Sequence, residues 1–330
     1  MKRFLSILLA ACLLCAGGAV MSHAAVDITA QFTDLNFRAA VYDAIGKTAP
    51  APIYDTDVAG VTNLDVNCRG IESLDGLQYF TGLLALDCSN TITIADGIIE
   101  EKSSSLRGKS PDFGNRNQIT SLPALPSGLQ KLTCSGNLLA SLPVLPSGLE
   151  VLRCDDNQLA SLPMLPSNLT YLGCENNKLA SLPALPSTLF MLDCYGNQLT
   201  ALPALPSGLT NLDCGNNQLT SLPALPSVLH SLNCSHNQLT SLNITCPTMY
   251  LLVCSYNDIA RKADVKGFTG TWDGEYFIFS PQNVEVAPDP DPDPDPDPDP
   301  PAPPFWASWP PFLVSILRYV LFGWLWMSWF

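Results

Sequence analysis

The chain is predicted to be a solenoid: a curved parallel β-sheet on a concave face, an extended polyproline-like convex face, and an N-terminal helical cap. Three observations predict it. Cysteine recurs every twenty residues, at Cys134, Cys154, Cys174, Cys194, Cys214, Cys234 and Cys254. Asparagine follows each cysteine three positions later, from Asn137 to Asn257. The segment S-L-P-x-L-P-S returns with the same period, first at Ser121–Ser127, and its two prolines in four residues exclude a helix interior. One such unit cannot close a core, so stacked neighbours must share one.

Each position in the unit has a physical role. One full copy is Leu149, Leu152, Cys154, Asn157, Leu159, Leu162, Pro163, Leu165 and Pro166, which is the leucine-rich-repeat pattern L-x-x-L-x-C-x-x-N-x-L. L-x-x-L-x-C forms a short strand with leucines and cysteine turned inward and the intervening residues turned to the concave side. The asparagine sits where the chain leaves the strand, and its amide both donates to and accepts from backbone groups that the sheet leaves unpaired. The first apolar positions, Val61, Leu83, Leu129, Leu149, Leu169, Leu189, Leu209, Leu229 and Met249, count nine rungs. At roughly 4.8 Å per rung the sheet extends about 40 Å.

In chain order, Lys2 and Arg3 followed by an apolar run from Phe4 and a Ser22-His23-Ala24 cut mark residues 1–24 as a secretory signal peptide. Leu9-Ala10-Ala11-Cys12 also matches a lipoprotein box, which leaves lipidation at Cys12 open. Residues 25–60 form the N-terminal cap. Within it Gln31–Ile45 is predicted as an amphipathic helix with Phe32, Leu35, Phe37, Val41 and Ile45 apolar and Asp34 as N-cap.

The repeats occupy residues 61–260. Removing residues 91–116 in thought rejoins Cys88-Ser89-Asn90 to Asn117-Gln118-Ile119 as a well-formed repeat, so those residues are an insertion at a turn that tolerates a loop. Whether the insertion is a solvated loop or a grafted binding element stays open.

Residues 261–287, rich in Phe and Tyr and containing Trp272, are expected to close the far end. Residues 288–304 carry six Asp-Pro pairs, a stiff spacer of roughly 50 Å at about 3.1 Å per residue. Residues 305–330 are nearly all apolar, with Trp306, Trp309, Trp324, Trp326 and Trp329. The nineteen residues from Phe312 approach the length of a bilayer span, although Arg318 lies in their midst. A membrane anchor, spanning or interfacial, and a sorting tail are the two readings of this end.

The formal charge is −14, and removal of Lys2 and Arg3 with the signal leaves 14 basic against 30 acidic residues, or −16. That balance argues against a nucleic-acid partner. In an exported chain the cysteines first bring disulfides to mind, but Cys88, Cys134, Cys154, Cys174, Cys194, Cys214, Cys234 and Cys254 all take the inward position of the repeat. They are predicted to be a ladder of small apolar core residues, with inter-rung bridges or a metal as the alternatives. Cys68 and Cys246 fall outside it and are the expected sites of exposure or oxidation.

No catalytic residue is assigned. His230 and His236 flank Cys234, but the cysteine points into the core and His236 points out, so no nucleophile is built. No phosphate loop, Ser-His-Asp arrangement, cofactor motif or clustered metal-ligand spacing is present. What varies between rungs is the concave row. Arg153, Asp155, Asp156, Tyr171, Glu175, Asp193, Tyr195 and Asp213 place acidic groups around two tyrosines, a mix suited to a protein surface with basic and apolar elements. A glycan is the other class of ligand, and a solvated sheet face with no selected ligand is the alternative reading of this patch. Asp155, Asp156 and Glu175 are a weaker set of calcium ligands, because the sequence supplies no ligand loop for one.

The unit L-P-x-L-P-x-x-L-x-x-L-x-C-x-x-N-x-L, over roughly Thr120 to Thr240, resembles the short repeats of bacterial type III effectors of the YopM/IpaH class. Nothing after Asn257 is long enough for the ligase domain of the IpaH group. The amino-terminal part, Phe32-Thr33-Asp34-Leu35-Asn36-Phe37-Arg38 and then Ile71-Glu72-Ser73-Leu74-Asp75-Gly76-Leu77, resembles the cap and first repeats of internalin-type surface proteins. No L-P-x-T-G wall-sorting motif accompanies it. The resemblance implies surface display and recognition of another protein, with a secreted non-enzymatic effector as the runner-up.

Overall fold

The computed structural model describes residues 24–93, 99–101 and 116–284. The signal peptide with Cys12, most of the insertion, the Asp-Pro spacer and the aromatic tail lie outside the described residues. Among the described residues no helix is long and apolar enough to cross a membrane.

The chain enters through helix α1 (Leu35–Ile45) and a single helical turn, α2 (Asp55–Val58). Asp34 caps α1 as predicted: its carboxylate accepts the Phe37 N–H at 2.8 Å. Its second oxygen accepts the N–H groups of Glu72 and Ser73 at 2.7 and 3.1 Å, which ties the cap to the first repeat. Phe37, Ala40 and Val41 bury the inner face of α1. Leu35, expected on that face, is 67% exposed because it sits about half a turn away from Phe37. Phe32 lies outside the helix and is fully buried, packed edge-on against Phe37 and Phe80.

The main sheet has ten parallel strands: β1 (Asn63–Asp65), β2 (Ala85–Asp87), β5 (Lys131–Thr133), β6 (Val151–Arg153), β7 (Tyr171–Gly173), β8 (Met191–Asp193), β9 (Asn211–Asp213), β10 (Ser231–Asn233), β12 (Leu251–Val253) and β14 (Phe277–Ile278). Nine follow the repeat, and the tenth comes from the segment expected to close the end. The leucines at the strand centres pair in register from Leu64–Leu86 through Leu232–Leu252. The insertion begins with a hairpin, β3 (Thr91–Thr93) antiparallel to β4 (Ile99–Glu101), and β11 (Leu242–Asn243) pairs with β13 (Val265–Lys266) on the far side.

One continuous core runs the length of the solenoid, with Leu149, Leu152 and Leu159 fully buried and their counterparts buried in the other rungs, apart from Val61 and Met249 in the two end rungs, which are half-buried. Each such side chain is worth roughly 1.5–3 kcal/mol of burial. The eight ladder cysteines sit in this spine and are free thiols. Six of their sulfurs, those of Cys88, Cys134, Cys154, Cys174, Cys194 and Cys254, donate to the carbonyl of the next rung, as Cys154 does to Gly173 and Cys174 to Asp193, both at 3.3 Å. Cys246, expected to be exposed, is buried and donates to the Pro226 carbonyl at 3.2 Å; Cys68 is half-buried.

The asparagine ladder forms as expected. Asn157 donates to the carbonyls of Cys134, Cys154 and Asp155 at 3.0–3.1 Å and accepts the Leu139 N–H at 3.0 Å. Asn117 takes the same post by donating to the Val66 and Cys88 carbonyls. The residue before each ladder asparagine is left-handed, at Gly136, Asp156, Asn176, Gly196, Asn216, His236 and Tyr256. Gly, Asp and Asn tolerate that conformation best, which accounts for most of the column.

Candidate functional site on the concave sheet

The residues one before and one after each central leucine point to the concave side. In β6 and β7 these are Val151 and Arg153, then Tyr171 and Gly173. Arg153 lies over the Tyr171 ring, 5.3 Å from its centroid, and its guanidinium donates to the Tyr171 hydroxyl at 3.3 Å. The ring packs over position 173, which has no side chain. A Cβ there would stand 2.7 Å from Asp155 Oδ1 and 3.2 Å from Tyr171 Cε1. Gly215 serves Tyr195 in the same way: a Cβ would meet Tyr195 Cδ2 at 3.0 Å and Asn233 Nδ2 at 2.7 Å. Two glycines thus seat two tyrosines against the sheet.

The structure separates the eight predicted contact residues into two groups. Arg153, Asp156, Tyr171, Asp193 and Tyr195 are half-exposed along the concave face. Asp155, Glu175 and Asp213 are not surface groups: they are 1%, 3% and 9% exposed. Asp155 lies between rungs, where its carboxylate accepts the Ser135 hydroxyl at 3.0 Å and the Glu175 N–H at 3.1 Å. Asp213 accepts from Asn233 Nδ2 at 2.7 Å and from the Gly215 N–H at 3.1 Å. Asp155 lies two residues past the end of β6, where the chain bends toward the left-handed Asp156, which turns its carboxylate along the sheet rather than away from it.

Burial raises the Asp155 carboxyl above the usual range, against the lowering effect of Arg153 and of its hydrogen bonds. Asp87 is raised by burial as well, with Asp65 in register beside it adding to the rise. Among the described residues no group of three or more His, Cys, Asp or Glu side chains is placed to hold a metal ion.

Sequence reasoning missed the histidine–tyrosine pairs. His230 stacks on Tyr250 with ring centroids 6.0 Å apart, and His236 on Tyr256 at 4.1 Å, one pair on each border of the concave face. Tyr250 and Tyr256 are 45% and 41% exposed. The signal was available, since each tyrosine follows its histidine by one repeat length. Partial burial lowers the proton affinity of His236.

No protein-family model matches the chain, and no curated protein does. Among solved structures the chain is similar to the functional domain of InlJ from Listeria monocytogenes, which includes a cysteine ladder. The TM-score is 0.58 at 27% identity, covering 72% of this chain and 51% of that one. It is also similar to YopM, a leucine-rich effector protein from Yersinia pestis, with a TM-score of 0.52 at 27% identity over 67% of this chain and 53% of that one. The chain therefore spans about half the length of each. With its parallel rungs, asparagine ladder and inward cysteines, it has the leucine-rich-repeat solenoid fold of the bacterial internalins and YopM.

Proposed function

We propose that this chain is an exported, non-enzymatic recognition protein that binds a protein ligand through its concave sheet. The observation that carries the reading is the concave surface itself. Tyr171 and Tyr195 pack over glycines, Arg153 sits on one ring, and Asp193 shares a rung with Tyr195. Rigid tyrosines with an arginine beside them are the groups that dominate protein–protein binding energy. The likeness to InlJ and YopM supports a protein partner over a glycan.

Export rests on residues 1–24 and attachment on residues 305–330, held off by the Asp-Pro spacer; these are readings of the sequence. The likeness to the Yersinia effector supports a second reading, a secreted effector acting on a host protein. Fractionation separates the two: partition with membranes that is lost on deletion of residues 305–330 supports the anchored protein, and a wholly soluble extracellular form supports the effector.

The binding test is capture of partners on the immobilised protein, followed by Tyr171→Ala and Tyr195→Ala. Loss of at least tenfold in affinity is expected for both. Met164→Ser, on the convex side where Met164 is 87% exposed, is expected to leave binding unchanged. Equal binding by all three variants places the site elsewhere.

A further inference from the structure

The two ends of the ten-stranded sheet are finished by different means. In a parallel strand alternate residues turn both N–H and C=O to one neighbour. At β14, Tyr276 and Ile278 face inward, since their carbonyls accept the Leu252 and Cys254 N–H groups at 2.8 and 2.9 Å. The backbone of Phe277 therefore faces out, where a further strand would pair. Both of its groups are already taken. Asp273 Oδ1 accepts the Phe277 N–H at 2.9 Å, together with those of Glu275 and Tyr276 at 2.9 and 2.8 Å. The Gly274 N–H donates to the Phe277 carbonyl at 3.3 Å, in a turn that Gly274 enters with φ +74°. One step on, the Gln282 side chain donates to the Phe279 carbonyl.

At the other end Asn63 and Asp65 face outward from β1, because Val66 and Cys68 donate inward to Asp87 and Ser89. Asp65 stands in register with Asp87, so charge discourages pairing there. The β14 end lacks that defence. Its strand runs Tyr276-Phe277-Ile278-Phe279, an aromatic and β-branched run of high strand propensity, flanked by Tyr276 at 49% and Val284 at 38% exposure.

We infer that Asp273 is an edge guard: its turn closes the outer edge of β14 against strand addition by a second copy of this chain. A second copy is the occupant because the edge is self-complementary. Two β14 strands related by a two-fold axis place Phe277 opposite Phe277 and exchange the same two backbone bonds that the Asp273 turn now occupies. The guard works at ordinary pH. Partial burial pushes the Asp273 carboxyl up, but the three N–H donors outweigh it and hold the group below the usual carboxylate range.

The test uses the full chain, with light-scattering mass over a concentration series and amide hydrogen exchange. Wild type is expected to protect the Phe277 amide although it lies on the outermost strand; exchange at the rate of an unstructured peptide overturns the inference. Asp273→Ala is expected to speed exchange at Tyr276 and Phe277 at least tenfold at low concentration, and to shift toward dimer mass where wild type does not. Asp273→Asn keeps Oδ1 and is expected to retain wild-type mass. A folded Asp273→Ala that keeps wild-type mass with those amides exposed overturns the guard, as does unchanged protection. Should Asp273→Ala lose cooperative melting, Asp273→Ser, which supplies a single acceptor, is read by the same two measurements.

Discussion

Asn177 joins two rungs through one side chain: its amide donates to the Cys174 carbonyl at 3.2 Å in its own rung and to the Cys154 carbonyl at 3.0 Å in the rung before. Its oxygen accepts the Leu159 N–H at 3.0 Å, and the residue is almost wholly buried. Asn177→Ala leaves the Leu159 N–H without its acceptor, while the Cys154, Cys174 and Glu175 carbonyls keep the Asn157 amide, the Asn197 amide and the Asp156 N–H as donors. A loss of about 1–3 kcal/mol is expected, the usual cost of one buried backbone group left unsatisfied. Urea unfolding checks this. A cost under about 0.5 kcal/mol would mean that the ladder contributes little net stability.

The ladder thiols should be chemically silent in the native protein. Burial is the leading cause that pushes the Cys254 thiol up to about 12, and the more deeply buried members of the ladder go further. Only the thiolate reacts, so a thiol reagent at pH 8 is expected to label Cys68 while sparing Cys88 through Cys254 until denaturant is added. Peptide mass mapping reads the result. Rapid native labelling of Cys154 or Cys174 would contradict a buried spine.

Most of the spine was legible in the sequence because one physical constraint acts on every rung. A leucine, cysteine or asparagine that must be buried at a fixed place shows itself twenty residues on, and the tenth strand was missed because Phe277–Ile278 lies outside that period. The concave row was less legible. Alternation along a strand predicts the outward turn of Arg153 and Tyr171, but Asp155 and Glu175 lie past the strand end, where alternation no longer applies. Nor does period alone show that Gly173 is a seat for a ring; that needs the neighbouring rung in place.

Gly173→Ala is expected to cost about 1–3 kcal/mol, the usual range for overpacking, by forcing a Cβ against Asp155 and Tyr171. Gly148→Ala is the control, because a Cβ there meets nothing within 4 Å. It is expected to change stability by less than about 0.5 kcal/mol. If the proposed binding surface is correct, Gly173→Ala also weakens ligand capture while Gly148→Ala does not. Equal melting temperatures for the two variants would show that the Tyr171 ring is free to move aside.

Asp155 gives the stability of the solenoid a pH dependence whose sign can be worked out. Its folded-state pKa is raised, with burial as the leading cause, so the folded chain holds the proton more tightly than the unfolded chain does. The resulting stabilisation is fully present below the ordinary carboxylate value, about 3.9, and is lost as pH rises through the folded-state value. At neutral pH the buried charge is therefore a cost. Asp155→Asn removes the charge and retains both bonds: Oδ1 still accepts the Glu175 N–H, and Nδ2 donates to Ser135 Oγ once that hydroxyl rotates. The variant is expected to melt at or above the wild-type temperature at pH 7, with its advantage shrinking toward pH 4. Melting curves at several pH values decide it. A variant less stable than wild type at pH 7 would mean that the contact with Arg153 outweighs the penalty of burial.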